Sequence, residues 1–583
     1  MWRLTHSFKQ ALLPRLTTLY GAAQVDRLLE RIALIAGRYN YLEQRCSLDH
    51  PCWDERTAIL ITYGDMITRP GEPGLVTLGR FLGDFLKGLL PVVHILPFFP
   101  SSSDDGFAVI DYRRVDPEIG SWDDLESLAQ QYRLMFDLVL NHVSSRSQWF
   151  EDFRGAVAPA RNYFLEMDPA TELSQVVRPR SSPLLTEVMT VKGKKHLWTT
   201  FSDDQLDLNY ANPDVLLEML DILLGYINKG AAILRLDAVA YLWKEVGSPC
   251  INLAQTHELV KLLRDVVDHV TPGTLLLTET NLPHGENVSY FGAGDEAHLV
   301  YQFSLPPLLL HALHSGSARH LAAWARSLSP PPPGCAYVNF TASHDGIGVR
   351  PLEGIVAGEE LTQLVETIRR CNGFVSCRSD SQGREQPYEL NITYFDALKD
   401  LSHPDDLQRQ VLRFLCSQTV MLGLQGIPAI YFHSLTASPN NQQGVLESGR
   451  YRSVNRGRWS DEELRLELAD PATVTARVFR EYQALLEIRA GLAAFHPDAE
   501  QVVLECAEEL LVFYRRPAEQ PSILCIHNLA GCSLSLDLRT LAGVPEGVDA
   551  WMDHISAAVC SPELQLQPYQ SLWLEACSPE SGG

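Results

Sequence analysis

Three carboxylates stand where apolar runs end: Asp237 closes "AAILRLD", Glu279 closes "TLLLTE", and Asp345 follows "AYVNFTASH". Asp137, Asn141 and His142 end "LMFDLVLNH", and His344 precedes Asp345. A charge inside an apolar interior costs several kcal/mol unless it is paired or neutralised. Two carboxylates brought together in such a place can break a glycosidic bond. One attacks the anomeric carbon while the other, kept protonated by a raised pKa, donates to the leaving oxygen. Asp237 and Glu279 are the natural pair. Asp345 is a third carboxylate able to hold sugar hydroxyls and to stabilise the positive charge that develops on the ring. Arg235, two residues before Asp237, lies on the same strand face, and is expected to keep that carboxylate ionised. One Arg-x-Asp pair is an ordinary structural ion pair; charged groups at four successive run ends point to chemistry.

These residues need a scaffold that gathers run ends. The runs "AILITYGD", "VVHILPFFP", "LMFDLVLNH", "AAILRLDAV", "TLLLTETN", "AYVNFTASHD" and "GIPAIYF" alternate with amphipathic helical segments. Near-continuous Val, Ile and Leu runs alternating with helices indicate a parallel sheet covered on both faces. About eight such units over residues 56–490 fit a (β/α)8 barrel, whose chemistry sits at the C-terminal ends of its strands. No GxGxxG follows any run, which disfavours a dinucleotide site. Residues 1–55 read as a helical extension, from the apolar spacing of "VDRLLERIALIAGRY". Residues of about 144–206 lack the strand–helix rhythm and read as an inserted loop or B subdomain, and the polar stretch of about 372–392 reads as a functional loop. Residues 491–583 alternate apolar and polar positions, as in "EELLVFYRR", and read as a C-terminal antiparallel β domain with a short tail.

Composition narrows the function classes. The chain has 583 residues, 45% of them hydrophobic, and a formal net charge of -24. That balance disfavours nucleic-acid binding, and it requires any anion site to be built locally from arginines. Twelve scattered cysteines form no CxxC pair, and no apolar run reaches the ~18 residues of a membrane span. A cytoplasmic enzyme in a reducing compartment, with no membrane partner, is the expectation.

"DLVLNH", "LRLDAVA", "LLTETN" and "TASHD" resemble the four motifs of the α-amylase superfamily of retaining glycosidases and transglycosylases, and "QLDLN" and "GIPAIYF" fit it as well. The resemblance implies Asp237 as nucleophile, Glu279 as acid/base and Asp345 as stabiliser. Within it, "HILPFFPSSSDDGFAVIDYRRVDPEIGSWDDL", "RPRSSPLLT", "PYELNITYFDAL" and "SVNRGRW" look like the sucrose phosphorylase group. "HLWTTFSDDQLDLNY" and "YFGAGDEAHLVYQFSLPPL" are most similar to its glucosylglycerate phosphorylase branch. By that resemblance Asp104, Phe107, His142, Arg235, His344 and Arg456 surround a glucosyl ring, while Arg180 and Tyr388 receive phosphate. Glu389 stands where sucrose-specific relatives tend to have Gln, which counts against fructose as acceptor, and Arg384 could meet a carboxylate instead. The implied reaction is metal-independent phosphorolysis of an α-glucoside, with inorganic phosphate as co-substrate and no cofactor. 2-O-α-Glucosylglycerate is the leading substrate. Sucrose, sucrose 6'-phosphate and glucosylglycerol phosphorylases are the alternatives, followed by a hydrolase or transglycosylase and by a non-catalytic barrel.

Overall fold

The computed structural model describes residues 4–39, 52–180, 182–379 and 385–577. Eight parallel strands close into a barrel: β1 (Ile59–Thr62), β2 (Val92–Ile95), β3 (Arg133–Val139), β4 (Ala231–Asp237), β5 (Leu275–Thr278), β6 (Leu299–Tyr301), β7 (Ala336–Phe340) and β8 (Ile427–Tyr431). Each strand pairs with its neighbours in sequence, and β8 returns to β1 with Ala429 opposite Ile59. The architecture is the (β/α)8 barrel that the strand–helix rhythm predicts. Every residue of β1, β2, β5, β7 and β8 is buried. Each such Val, Leu or Ile contributes ~1.5–3 kcal/mol, so Leu236→Ala in β4 would cost ~2–5 kcal/mol.

β6 escapes the sequence reading because it has only three residues, too few to stand out as an apolar run. Its ends nonetheless matter, since Tyr301 reaches the barrel mouth.

Helices α1 (His6–Tyr20) and α2 (Val25–Gly37) lie outside the barrel. The Thr5 hydroxyl caps α1 by accepting from the Phe8 amide at 3.2 Å. Phe8 stacks on His269 of a barrel helix, and Arg15 reaches Glu258, Asp265 and Asp295. Three further helices, α3 (Leu305–Ser315), α4 (Arg319–Ser327) and α5 (Gly358–Arg370), flank β6 and β7 in sequence.

Two segments shape the barrel mouth. The first, between β3 and β4, includes a hairpin of Leu185–Thr190 with Gly193–Trp198 and a short pairing of His142–Ser144 with Gln205–Asp207. The second is the polar stretch around 372–392, which is a β-hairpin and not the loop its composition suggests. Phe374–Ser379 pairs with Glu385–Asn391, and Ile347–Gly348 extends the sheet on the other side. Its polarity misleads because Glu389 is buried against arginines, where an apolar residue would ordinarily mark a strand.

Beyond the barrel a six-stranded antiparallel sheet spans Glu500 to Ala576. Buried Arg515 ties it down, donating to the carbonyls of Gly423 and His496 at 2.9 and 2.8 Å. Among the described residues no helix is long and apolar enough to cross a membrane.

Candidate active site

β4 brings Arg235 and Asp237 into the barrel mouth, and β5 delivers Glu279 one residue past its end. Arg235 Nη1 donates to Asp137 Oδ1 at 2.5 Å and to Asp237 Oδ1 at 3.0 Å. His94 Nε2 meets the other oxygen of Asp137 at 2.7 Å. After Asp237 the backbone turns at Ala238, a non-glycine residue at φ 51°, and its amide donates to Glu279 Oε2 at 3.0 Å. Such left-handed residues are sparse and tend to cluster at functional sites.

The electrostatics differ from the simple expectation for Arg235. Burial pushes Asp237 well above the ordinary carboxylate range; Arg235 opposes it, and the nearby Glu279 and Asp137 add to the rise. One guanidinium cannot cancel that burial because the same Nη1 also serves Asp137 at the shorter distance. Glu279 is raised too, by burial first and by the Asp345 charge, against the pull of Arg235. Two interacting carboxyls whose pKa values are both raised titrate as a pair, and both shifts favour sharing a proton between them. Arg235 bonds directly to Asp237, which favours the charge on that member and the proton on Glu279.

Asp345, five residues past β7, behaves oppositely. Burial works to raise its pKa, but Arg452, His344 and Arg456 together outweigh it and hold the carboxyl far below its usual range. Arg452 Nη1 lies 2.5 Å from Asp345 Oδ1, and His344 Nε2 lies 3.4 Å from Oδ2. The buried His344 is pushed down to about 3, so it is neutral at pH 7.

One wall is built by the turn after β2. Asp104 and Asp105 both have positive φ, and a Cβ on the following Gly106 would sit 2.6 Å from the Pro97 carbonyl. Only glycine tolerates that approach. The turn aims Asp104 and Asp105 at Arg456 Nη1, at 3.2 and 2.5 Å. It also lays Phe107 flat on His344, with ring centroids 4.7 Å apart. His142 Nε2 hydrogen-bonds the Phe107 carbonyl at 3.0 Å.

The opposite rim is cationic. Arg452 clasps the buried Glu389 with Nη2 to Oε1 at 2.7 Å and Nε to Oε2 at 3.1 Å. Arg180 Nη1 stands 3.7 Å from Glu389 Oε2, and its guanidinium is 5.9 Å from the Tyr388 ring centre. One cavity therefore brings together Asp104, Phe107, His142, Arg180, Arg235, Asp237, Glu279, His344, Asp345, Tyr388 and Glu389. Arg456 lines the adjoining groove. Arg384 lies outside the described residues.

Sequence reasoning missed Arg452, which contacts Asp345, Glu389 and, at 4.0 Å, Asp104. Its signal in the chain is the first Arg of "RSVNRGRW", four residues before Arg456 of the family motif. Sequence reasoning also missed Lys244, whose buried ammonium lies 2.7 Å from both Asp207 Oδ2 and Asn141 Oδ1. That cation locks the end of β3 to the inserted segment.

Comparisons with known proteins show the family. The family described as the alpha amylase catalytic domain matches residues 84–328. The chain is 49% identical to the glucosylglycerate phosphorylase of Spirochaeta thermophila, over 84% of this chain and 82% of that protein. It is 47% identical to that of Allomeiothermus silvanus, over 88% and 91%. In fold it resembles sucrose 6F-phosphate phosphorylase from Thermoanaerobacter thermosaccharolyticum, with a TM-score of 0.71 at 24% identity over 82% of this chain and 94% of that one.

Proposed function

The chain belongs to the sucrose phosphorylase-like branch of the α-amylase superfamily and, within it, to the glucosylglycerate phosphorylases, and from that premise we propose the following reaction and division of labour. The enzyme is a hexosyltransferase that reversibly converts 2-O-α-D-glucosylglycerate and phosphate to α-D-glucose 1-phosphate and D-glycerate. The Asp237 carboxylate attacks the anomeric carbon as Glu279 transfers its proton to the departing glycerate oxygen, leaving a glucosyl ester on Asp237. Phosphate then attacks the same carbon and gives its proton to Glu279, and the Asp237 carboxylate leaves. Two inversions retain the α configuration.

Asp345 holds ring hydroxyls and faces the positive charge of the transition state, a role its depressed pKa supports because the group stays ionised. Asp104, Phe107, His142, Arg235, His344 and Arg456 enclose the glucosyl ring. Neutral His344 can donate from one nitrogen and accept at the other.

The observation that carries the phosphorylase reading is the pair of arginines, Arg180 and Arg452, converging on Glu389 beside the buried carboxylates. A glucosyl ester must be resolved by a phosphate dianion in preference to water, and guanidinium groups are suited to that dianion. In a chain of net charge -24 such cations must be local. The same pair is placed to grip the glycerate carboxylate in the reverse direction, with Tyr388 beside them. No metal or organic cofactor is assigned to the reaction. The twelve cysteines are scattered along the chain with no CxxC pair, which suits a reducing, cytoplasmic setting.

The deciding experiment is an acceptor panel. α-Glucose 1-phosphate is incubated with glycerate, glycerol, fructose or fructose 6-phosphate, and phosphate release is followed. Glycerate should be preferred. Faster release with fructose or glycerol would overturn the glycerate assignment, and release independent of acceptor would make the enzyme a hydrolase.

A further inference from the structure

Away from the catalytic cavity, three ligand-type side chains converge where α3, α4 and α5 meet. His311 of α3 is buried, His320 of α4 and Glu360 of α5 are half-buried, and their ligand atoms all lie within 4.8 Å of one another. None of the three lines the catalytic cavity. His320 Nε2 lies 3.1 and 3.0 Å from the two Glu360 oxygens. His311 Nε2 lies 3.6 Å from Glu360 Oε1, and its Nδ1 is buried with no hydrogen-bond partner among the described residues.

His320 and the Ala357 amide hydrogen-bond Glu360, but His311 is left out of that cluster although its ligand atom lies close enough to share an ion with the other two. His311 Nε2, the nitrogen measured against Glu360, stands 3.6 Å from Oε1, too long for a hydrogen bond. Two ligands held at ~2.0–2.2 Å from one tetrahedral ion are about 3.3–3.6 Å apart, which brackets the His311–Glu360 separation and lies just above the His320–Glu360 ones. Two imidazoles and one carboxylate suit a borderline ion better than Mg2+ or Ca2+, which take oxygen ligands. The Arg319 guanidinium now sits over the same atoms, 3.6 Å from Glu360 Oε1 and 3.4 Å from His320 Nε2. Its side chain is 59% exposed and is free to swing into solvent as an ion enters.

We propose that His311, His320 and Glu360 bind one Zn2+-type divalent ion that staples α3, α4 and α5 together, with water in the fourth position. The consequence reaches the reaction indirectly. Pro306, at the start of α3, lines the catalytic cavity, and α5 runs into the Phe374–Ser379 strand whose partner carries Tyr388 and Glu389. The ion stabilises the base of that hairpin and takes no part in bond making.

The test uses the full-length chain without a histidine tag, stripped with EDTA and titrated with ZnCl2. Wild-type protein should bind one equivalent, and binding should weaken by at least ~10-fold in His320→Ala and in Glu360→Gln while persisting in Cys532→Ser, which removes an exposed thiol. Saturating Zn2+ should raise the Tm of the wild type by at least ~2 °C and leave His320→Ala unmoved. Should a variant fold poorly, Co2+ in the wild-type protein decides. Four-coordinate d–d bands without thiolate charge transfer support the site; thiolate bands or no bands overturn it. A Zn2+ equivalent unaffected by His320→Ala also overturns it.

Discussion

Replacing Arg452 separates its structural work from its chemical work. In Arg452→Leu, Glu389 loses both short contacts and among the described residues keeps only the Arg180 charge at 3.7 Å, although its side chain is just 1% exposed. A buried carboxylate stripped of its main partner costs ~3–5 kcal/mol, so Tm should fall measurably. If Arg452 also binds phosphate, a charge-assisted contact of ~1.5–3 kcal/mol is lost, which is ~10- to 100-fold in the apparent KM for phosphate. The double variant Arg452→Leu with Glu389→Gln distinguishes the two effects, because it removes the stranded charge but restores no cation. Its Tm should recover most of the loss while the phosphate KM remains at least ~10-fold raised. Turnover of α-glucosyl fluoride in the absence of phosphate serves as the control and should suffer less than phosphorolysis. If the double variant regains wild-type phosphate KM, Arg452 acts only as a counterion to Glu389 and the phosphate reading of this rim is wrong.

Asp237→Ala should lose phosphorolysis by several orders of magnitude with Tm nearly unchanged, and product analysis of the wild type by NMR should give only α-glucose 1-phosphate; a β product would exclude double displacement. In Arg235→Leu the guanidinium that opposes the burial of Asp237 is gone, so the folded-state pKa of that carboxyl rises further. Ionised Asp237 then appears only at higher pH, and the acid limb of kcat/KM should move up by at least ~1 unit; an unmoved limb would reduce Arg235 to packing. Arg180→Ala should raise the phosphate KM by ~10-fold or more and spare hydrolysis of α-glucosyl fluoride, and an equal loss of both activities would make Arg180 a structural anchor.

The barrel and the three candidate carboxylates at its mouth were legible in the chain for one reason. Asp237, Glu279 and Asp345 interrupt or follow strands whose apolar composition is dictated by burial on both faces, so each charge stands out against a Val, Ile and Leu background. β6 did not stand out, being three residues long. The hairpin of Phe374–Ser379 with Glu385–Asn391 was hidden for the opposite reason: its buried side is satisfied by ion pairs with Arg452, a partner distant in sequence. Asp237 shows a further limit. Its neighbour Arg235 was evident, but the division of that guanidinium between Asp137 and Asp237 is a property of β3 and β4 lying side by side.

The resting arrangement of the rim bears on the choice of acceptor. Arg452 is shared between Glu389 and Asp345, and Arg180 leans on Glu389, so neither of these two arginines waits uncompensated in the mouth. An arriving phosphate or glycerate carboxylate must compete with these internal carboxylates for the same N–H donors. A neutral acceptor such as glycerol offers no charge with which to compete, so it gains nothing from drawing Arg452 away. Competition of this kind penalises weak ligands and favours anions of adequate charge density, which is how an acidic protein can discriminate glycerate from glycerol. On the proposed reading Glu389 does more than oppose fructose: by holding Arg180 and Arg452 in place between half-reactions, it would keep one cationic rim for phosphate and for the carboxylate of the acceptor.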